Sequence, residues 1–164
     1  MNPLFEEWKK KKESVFFQNQ KFLSKLTKHK GKALDRFADE THEKVFAKIN
    51  CLECAGCCAS IPPIINKTDS ARIAKYLGIS QSDFEKKFLK SDEDNDTVIN
   101  YTPCPFLEKN NSCSIYEVRP KACREYPHTD KLTFSSNLSY HAVNALYCPA
   151  VFHILENLKK NIPV

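Results

Sequence analysis

Apolar residues recur at helical spacing through the first fifty positions. Phe5, Trp8, Val15, Phe22 and Leu26 stand three, four or seven residues apart, the stripe of an amphipathic helix. The stripe lapses in the polar run Lys28 to Lys32, which holds Gly31, and resumes in Leu34, Phe37, Val45, Phe46 and Ile49. The pattern predicts a helical hairpin or two-helix arm over 1–50, its second helix running from about Ala33 to Ile49.

Beyond residue 50 the pattern is shorter-ranged. Ile61 to Ile65 contains two prolines and reads as extended chain. Ile73, Tyr76 and Leu77 give one face of a helix from about Asp69 to Leu77, capped by Thr68 or Asp69 and ended by Gly78 in the left-handed conformation. Ser80 to Asp83 resembles a capping box with Asp in place of Glu, opening a short helix with Phe84, Phe88 and Leu89 inward. Ser91 to Asp96 is acidic and reads as a solvated loop. Thr97 to Thr102 has the β-branched and aromatic alternation of a strand. Lys109 to Ser112 reads as a turn, the tip of a small hairpin. Leu132 to Phe134 reads as a short strand, and Ala150 to Leu158 as a final helix. The expected fold is a small, helix-rich α+β domain with a short β-hairpin, in which an arm of residues 1–50 packs on a cysteine-rich stretch of residues 51–164.

Composition sharpens this picture at three points. The 164 residues are 41% hydrophobic and 27% charged, an ordinary globular balance. Glycine is scarce, three in the chain, and neither GxGxxG nor GxxxxGK[ST] occurs, which removes the usual support for nucleotide chemistry. The net charge of +5 belongs wholly to residues 1–50, where 12 Lys and Arg face 7 Asp and Glu; the remainder balances at 13 and 13. Glu6, Glu7 and Glu13 dilute the basic run Lys9 to Lys12, so it reads as a solvated helix face rather than a surface for nucleic acid or a membrane.

The third point is the eight cysteines, all between positions 51 and 148. The opening residues lack the long apolar run of an export signal, and no segment has the length of a membrane span. A cytoplasmic chain is therefore expected, in which thiols stay reduced and a set of eight points to metal. A disulfide-stapled secreted domain is the alternative. The central motif is Cys51-Leu52-Glu53-Cys54-Ala55-Gly56-Cys57-Cys58, C-x2-C-x2-C-C. A thiol at every third residue of a tight loop lets successive sulfurs converge, with backbone N–H groups offsetting their charge. Gly56 is expected to supply the conformational freedom of that loop. Neighbouring side chains diverge in most backbone conformations, so Cys57 and Cys58 are expected to serve two centres, or one to bind while the other packs.

Cys104, Cys113, Cys123 and Cys148 follow at wide spacing, each beside conformation-fixing residues such as Pro103, Pro105, Pro120 and Pro149. Four near and four far thiols suit two Cys₄ sites, or one four-thiolate cluster with a second metal or structural group. A single metal with the other thiols as core filler is the plainer alternative. Overlapping C-x2-C units without a second separate knuckle fit a zinc ribbon poorly and an iron–sulfur cluster better, with zinc close behind. The first three Cys have the spacing that opens a bacterial ferredoxin run, and Cys148-Pro149 could supply a remote fourth ligand.

These motifs, with Cys104-Pro105-Phe106-Leu107, Cys113-Ser114-Ile115-Tyr116-Glu117-Val118-Arg119-Pro120, Cys123-Arg124-Glu125-Tyr126-Pro127 and the intervening helix Thr68 to Ser80, closely resemble the YkgJ-type cysteine-cluster family. The resemblance covers about residues 50–150. It implies metal binding, zinc or iron, by Cys51, Cys54, Cys57, Cys58, Cys104, Cys113, Cys123 and Cys148, and assigns no reaction. Glycine is expected directly after the second Cys, where this chain has Ala55. The flagellin lysine N-methylases are similar through the same region, but this chain shows no recognisable methyl-donor site.

Arg119 and Arg124 flank Cys123 and are expected to support the metal centre from behind its ligands, by fixing the loop or offsetting thiolate charge. Tyr116 and Tyr126 are expected to pack over it. Of the five His, His128 is the foremost candidate ligand or proton carrier, and His42 lies on the helix entering the cluster loop; packing or surface roles are the plainer reading of all five. No nucleophile stands with a recognisable base, and neither HExxH nor GxSxG occurs. Three function classes follow: a metal-binding protein with redox capacity, a structural zinc module that binds a protein or RNA partner, and a small metalloenzyme or methyltransferase-associated protein.

Overall fold

The apolar stripe of the first fifty residues folds as three helices, not two. In the computed structural model, which describes residues 2–164, the helices in chain order are α1 (Pro3–Lys11), α2 (Phe16–Leu26), α3 (Lys32–Phe46), α4 (Gly56–Ser60), α5 (Lys67–Leu77), α6 (Gln81–Phe88), α7 (Lys121–Glu125), α8 (Leu138–Tyr147) and α9 (Pro149–Asn161). Two short strands, β1 (Leu89–Ser91) and β2 (Thr97–Ile99), lie between α6 and α7. The fold class is α+β and helix-rich, as the sequence pattern predicts.

The chain packs as two units: residues 2–50 with Pro127–Val164, and Cys51–Tyr126. The stretch 51–164 is thus shared between the two, divided at Tyr126.

The first unit is all helical. Asn2 caps α1, its side chain accepting from the Leu4 N–H, and Pro3 takes the first helical position, where no N–H is needed. The stripe breaks at Lys12 to Val15, where the Ser14 hydroxyl donates to the Lys11 carbonyl, and α2 starts afresh. Gly31, at φ 135°, makes the turn into α3 in a conformation that side chains resist. α2 packs along α8, α3 along α9, and α8 and α1 against α9. The face of α9 is apolar enough to bury Val151, Phe152, Ile154, Leu155 and Leu158. The Trp8 indole N–H donates to the Ala145 carbonyl at 2.8 Å. Buried Asp35 accepts from the N–H and hydroxyl of Ser135 at 2.7 and 2.9 Å, satisfying the start of the turn that leads to α8. The expected strand at Leu132 to Phe134 is absent. Lys131 and Leu132 adopt positive φ, which no strand tolerates, and a 3-10 turn, Phe134–Asn137, follows.

The second unit has a small apolar core of Ile65, Ile73, Ala74, Phe84, Ile99, Phe106 and Ile115. α5 starts earlier than expected. Its cap is Asn66, whose side chain accepts from the Asp69 N–H, while Gly78 ends it at φ 70° as predicted. Ser80 caps α6 and also donates to Asp83, so the expected capping box is present in modified form. Leu89, expected on that helix, instead pairs antiparallel with Ile99 in a two-stranded sheet. The second strand is shorter than the predicted Thr97 to Thr102, because its partner β1 starts only at Leu89, where α6 ends; past Ile99 one bond, Asn100 N–H to the Phe88 carbonyl, continues the pairing. The Asp92 side chain accepts from the N–H groups of Asp94 and Asp96, closing the acidic turn between the strands. The predicted hairpin at 109–112 reduces to one bridge, Leu107 with Cys113.

Candidate metal centre

Seven of the eight cysteines lie in the Cys51–Tyr126 unit, and none of the eight forms a disulfide. The C-x2-C-x2-C-C segment is a 3-10 turn, Cys51–Glu53, running into α4. The Cys51 carbonyl accepts from both the Cys54 and Ala55 N–H groups, at 3.1 and 2.8 Å, which winds the loop tightly. Ala55, not Gly56, takes the left-handed conformation, at φ 49°. Gly56 is an ordinary first residue of α4. The position that demands freedom is thus the one where glycine is expected in the family pattern.

Cys57 and Cys58 do not diverge. On a helix successive side chains are about 100° apart, not opposed as on a strand. Their sulfurs lie 4.0 Å apart and share a hydrogen bond. Thiolates on one tetrahedral zinc, with Zn–S bonds of about 2.3 Å, stand about 3.8 Å apart.

The distant cysteines reach the same neighbourhood from three further segments. The Cys104 N–H donates to the Cys58 carbonyl at 2.9 Å. Leu107 N–H donates back to Cys104, and the bridge between Leu107 and Cys113 sets the latter opposite. Both Cys104 and Cys113 pack against the apolar core through their partly buried side chains. The Asn111 amide donates to the Leu52 carbonyl and ties the intervening turn to the cluster loop. Cys123 rides on α7.

Electrostatics connects these thiols. Cys58 is lowered to about 7, chiefly by the hydrogen bond from Cys57. Cys51, Cys104, Cys113 and Cys123 are raised. Around Cys51, Cys104 and Cys113 the first cause is loss of water, and charge on Cys58 adds to it in each case. Cys123 reaches solvent, yet the protein around its sulfur and the neighbouring Cys58, Cys104 and Cys113 push it to about 12. Four segments thus aim sulfurs whose anions oppose one another, with Cys58 common to all. Such a group is stable as thiolates when a cation stands among them. The donor chemistry therefore fits a thiophilic metal. As the side chains are placed, no three Cys, His, Asp or Glu groups among the described residues close to chelating distance.

Both arginines beside Cys123 act on the backbone. Arg119 donates to the Tyr116 carbonyl at 3.0 Å and stacks on the Tyr116 ring, and Arg124 donates to the Arg119 carbonyl at 2.7 Å. The Arg119 charge also works against the rise at Cys113 and Cys123. Tyr116 is exposed.

The remaining candidates lie in the other unit. Cys148 precedes Pro149 at the start of α9. His128 has φ 62°. His42 stacks on Phe46 and bonds the Thr129 hydroxyl; His153 donates to the Leu4 carbonyl; His141 donates to the Phe134 carbonyl. The sequence reading missed the Asp69 and Arg72 pair on α5. Their three-residue spacing is the available signal; the pattern alone offers Asp69 only as one of two cap candidates, with Thr68.

A family model described as "CxxCxxCC: Putative zinc- or iron-chelating domain" matches residues 50–149. The chain is 29% identical over 107 residues to "Uncharacterized protein MJ0661" of Methanocaldococcus jannaschii, a match of 63% of this chain. It spans 58% of that relative's length. No solved structure matches.

Proposed function

The chain belongs to the CxxCxxCC family of zinc- or iron-chelating domains, and from that premise we propose that it holds an iron–sulfur cluster through its thiolates, in the cytoplasm. The carrying observation is the convergence of Cys51, Cys104, Cys113 and Cys123 on Cys58 in electrostatic reach, with Cys54 and Cys57 in the same loop. More thiols gather there than the four that one tetrahedral zinc uses, which favours a polynuclear centre. Cys148, in the other unit, stays among the candidate ligands on its Cys-Pro context alone. Arg119 and Arg124 hold the Cys123 loop through backbone carbonyls and lend it positive charge. A bound cluster supplies one-electron redox chemistry; the chain supplies thiolates, the positive guanidinium beside them and the helix-capped loops that keep them in place. The partner class that suits this reading is a protein exchanging electrons with it.

A second reading, a structural zinc module, is favoured by the 4.0 Å spacing of the Cys57 and Cys58 sulfurs, close to the edge of a zinc–thiolate tetrahedron. Anaerobic purification separates the two. A brown protein with broad absorbance near about 400 nm, iron and acid-labile sulfide fits the first. A colourless protein with stoichiometric zinc replaces it with the second.

A further inference from the structure

α7 begins without a cap of its own. Pro120 precedes it and offers no side-chain acceptor, and no side-chain cap bond is made there. The first helical N–H, that of Lys121, is instead taken by Asp69 of α5, whose two carboxylate oxygens each lie 3.2 Å away. Asp69 is 1% exposed. It sits in the first turn of α5, where the helix dipole favours an anion, and pairs with the Arg72 guanidinium at 2.5 Å. Arg72 then reaches over the same loop, donating to the Val118 carbonyl from Nε at 3.3 Å and to the Arg119 carbonyl from Nη2 at 3.0 Å. Of Val118, Arg119, Pro120 and Lys121, all but the proline are thereby bonded to one ion pair. Cys123 stands two residues past the last of them.

We propose that Asp69 and Arg72 are positioning residues for the metal centre: together they fix the loop Val118–Lys121 and so set where the Cys123 sulfur stands. The proposal rests on the reading of Cys123 as a ligand. A buried carboxylate needs several partners to satisfy its lone pairs, and where those partners lie decides what it holds. This one is shared between a guanidinium and a backbone N–H of the cysteine-bearing segment, and the guanidinium's other bonds go to that segment too. A fork of several N–H donors is required, which a lysine ammonium cannot reproduce.

The test uses the full chain loaded anaerobically with Co2+, in which thiolate-to-cobalt absorption reports bound metal, followed by addition of EDTA. Arg72→Lys and, as a second variant, Asp69→Asn are compared with the parent and placed in a Cys123→Ser background. Release is expected to quicken by about 10–100-fold in the parent background, the usual effect of losing a group that orients a ligand. In the Cys123→Ser background the same substitutions are expected to change it less than about twofold, because their effect passes through the missing sulfur. Urea unfolding of the metal-free variants reports how much of each change is general destabilisation. Parent-like release in both variants, or equal acceleration in the two backgrounds, overturns the positioning role while leaving metal binding intact. A parent protein that takes up neither Co2+ nor, on anaerobic reconstitution with iron and sulfide, a cluster overturns both.

Discussion

Ala55 occupies a left-handed position in the middle of the cluster loop, at φ 49°. An L-residue pays about 1–2 kcal/mol for that conformation, and glycine escapes it but loses more entropy on folding and one buried methyl. Ala55→Gly is therefore expected to change stability by less than about 1 kcal/mol. Ala55→Val, which adds a branched side chain at positive φ, should cost at least about 2 kcal/mol, read by denaturant unfolding. Equal stability of the valine variant would contradict the assigned backbone. Cys58 is the other decisive position. It is the thiol to which Cys51, Cys104, Cys113 and Cys123 are all electrostatically linked. Cys58→Ser should remove more bound metal, by elemental analysis, than Cys51→Ser. A Cys58→Ser protein with full metal content would show that the hub lies elsewhere.

At the scale of elements, α8 carries the clearest pH dependence. His141 is fully buried, stacks on Phe134 with ring centroids 4.3 Å apart, and uses Nε2 to donate to the Phe134 carbonyl. Its Nδ1 has no partner, so a second proton there would have none either. Burial lowers its pKa to about 4, with the charge of His128 adding a smaller push, against the opposing hydrogen bond to the Phe134 carbonyl. The unfolded chain takes up this proton near pH 6.5 and the folded chain resists it until about 4. Stability is complete above pH 6.5 and is lost as pH falls toward 4. By linkage the loss between pH 7 and 4.5 is about 2–3 kcal/mol. Urea unfolding at the two pH values should show it, and His141→Phe should flatten the difference; an unchanged slope in that variant would assign the effect to another group. α8 itself was not legible in the sequence. Its residues carry no clean stripe, since Tyr140 and Val143 face solvent while His141 is buried. By contrast α5 and α6 were readable because Gly78 and Ser80 act locally, through φ and a cap. The shortened second strand and the diversion of Leu89 into the sheet depend on pairing across the turn, which a single strand's pattern does not contain.

The whole molecule repeats this division between local and distant information. The eight cysteines and their motif order were legible, because spacing and flanking prolines are written along the chain. What the pattern could not show was the exchange between termini: α8 and α9 complete the unit that α1, α2 and α3 begin, a long-range packing that no local period encodes. Nor could it show that Asp69 holds the turn before Cys123, fifty-two residues on at Lys121. Among the described residues no helix is long and apolar enough to cross a membrane. The central claim is that the thiols gathered around Cys58 hold an iron–sulfur cluster, and metal analysis of protein purified without oxygen tests it most directly. Iron and acid-labile sulfide in equal amounts, with visible absorbance that bleaches on dithionite reduction and returns in air, is the predicted result. Colourless protein carrying zinc and no sulfide would contradict it.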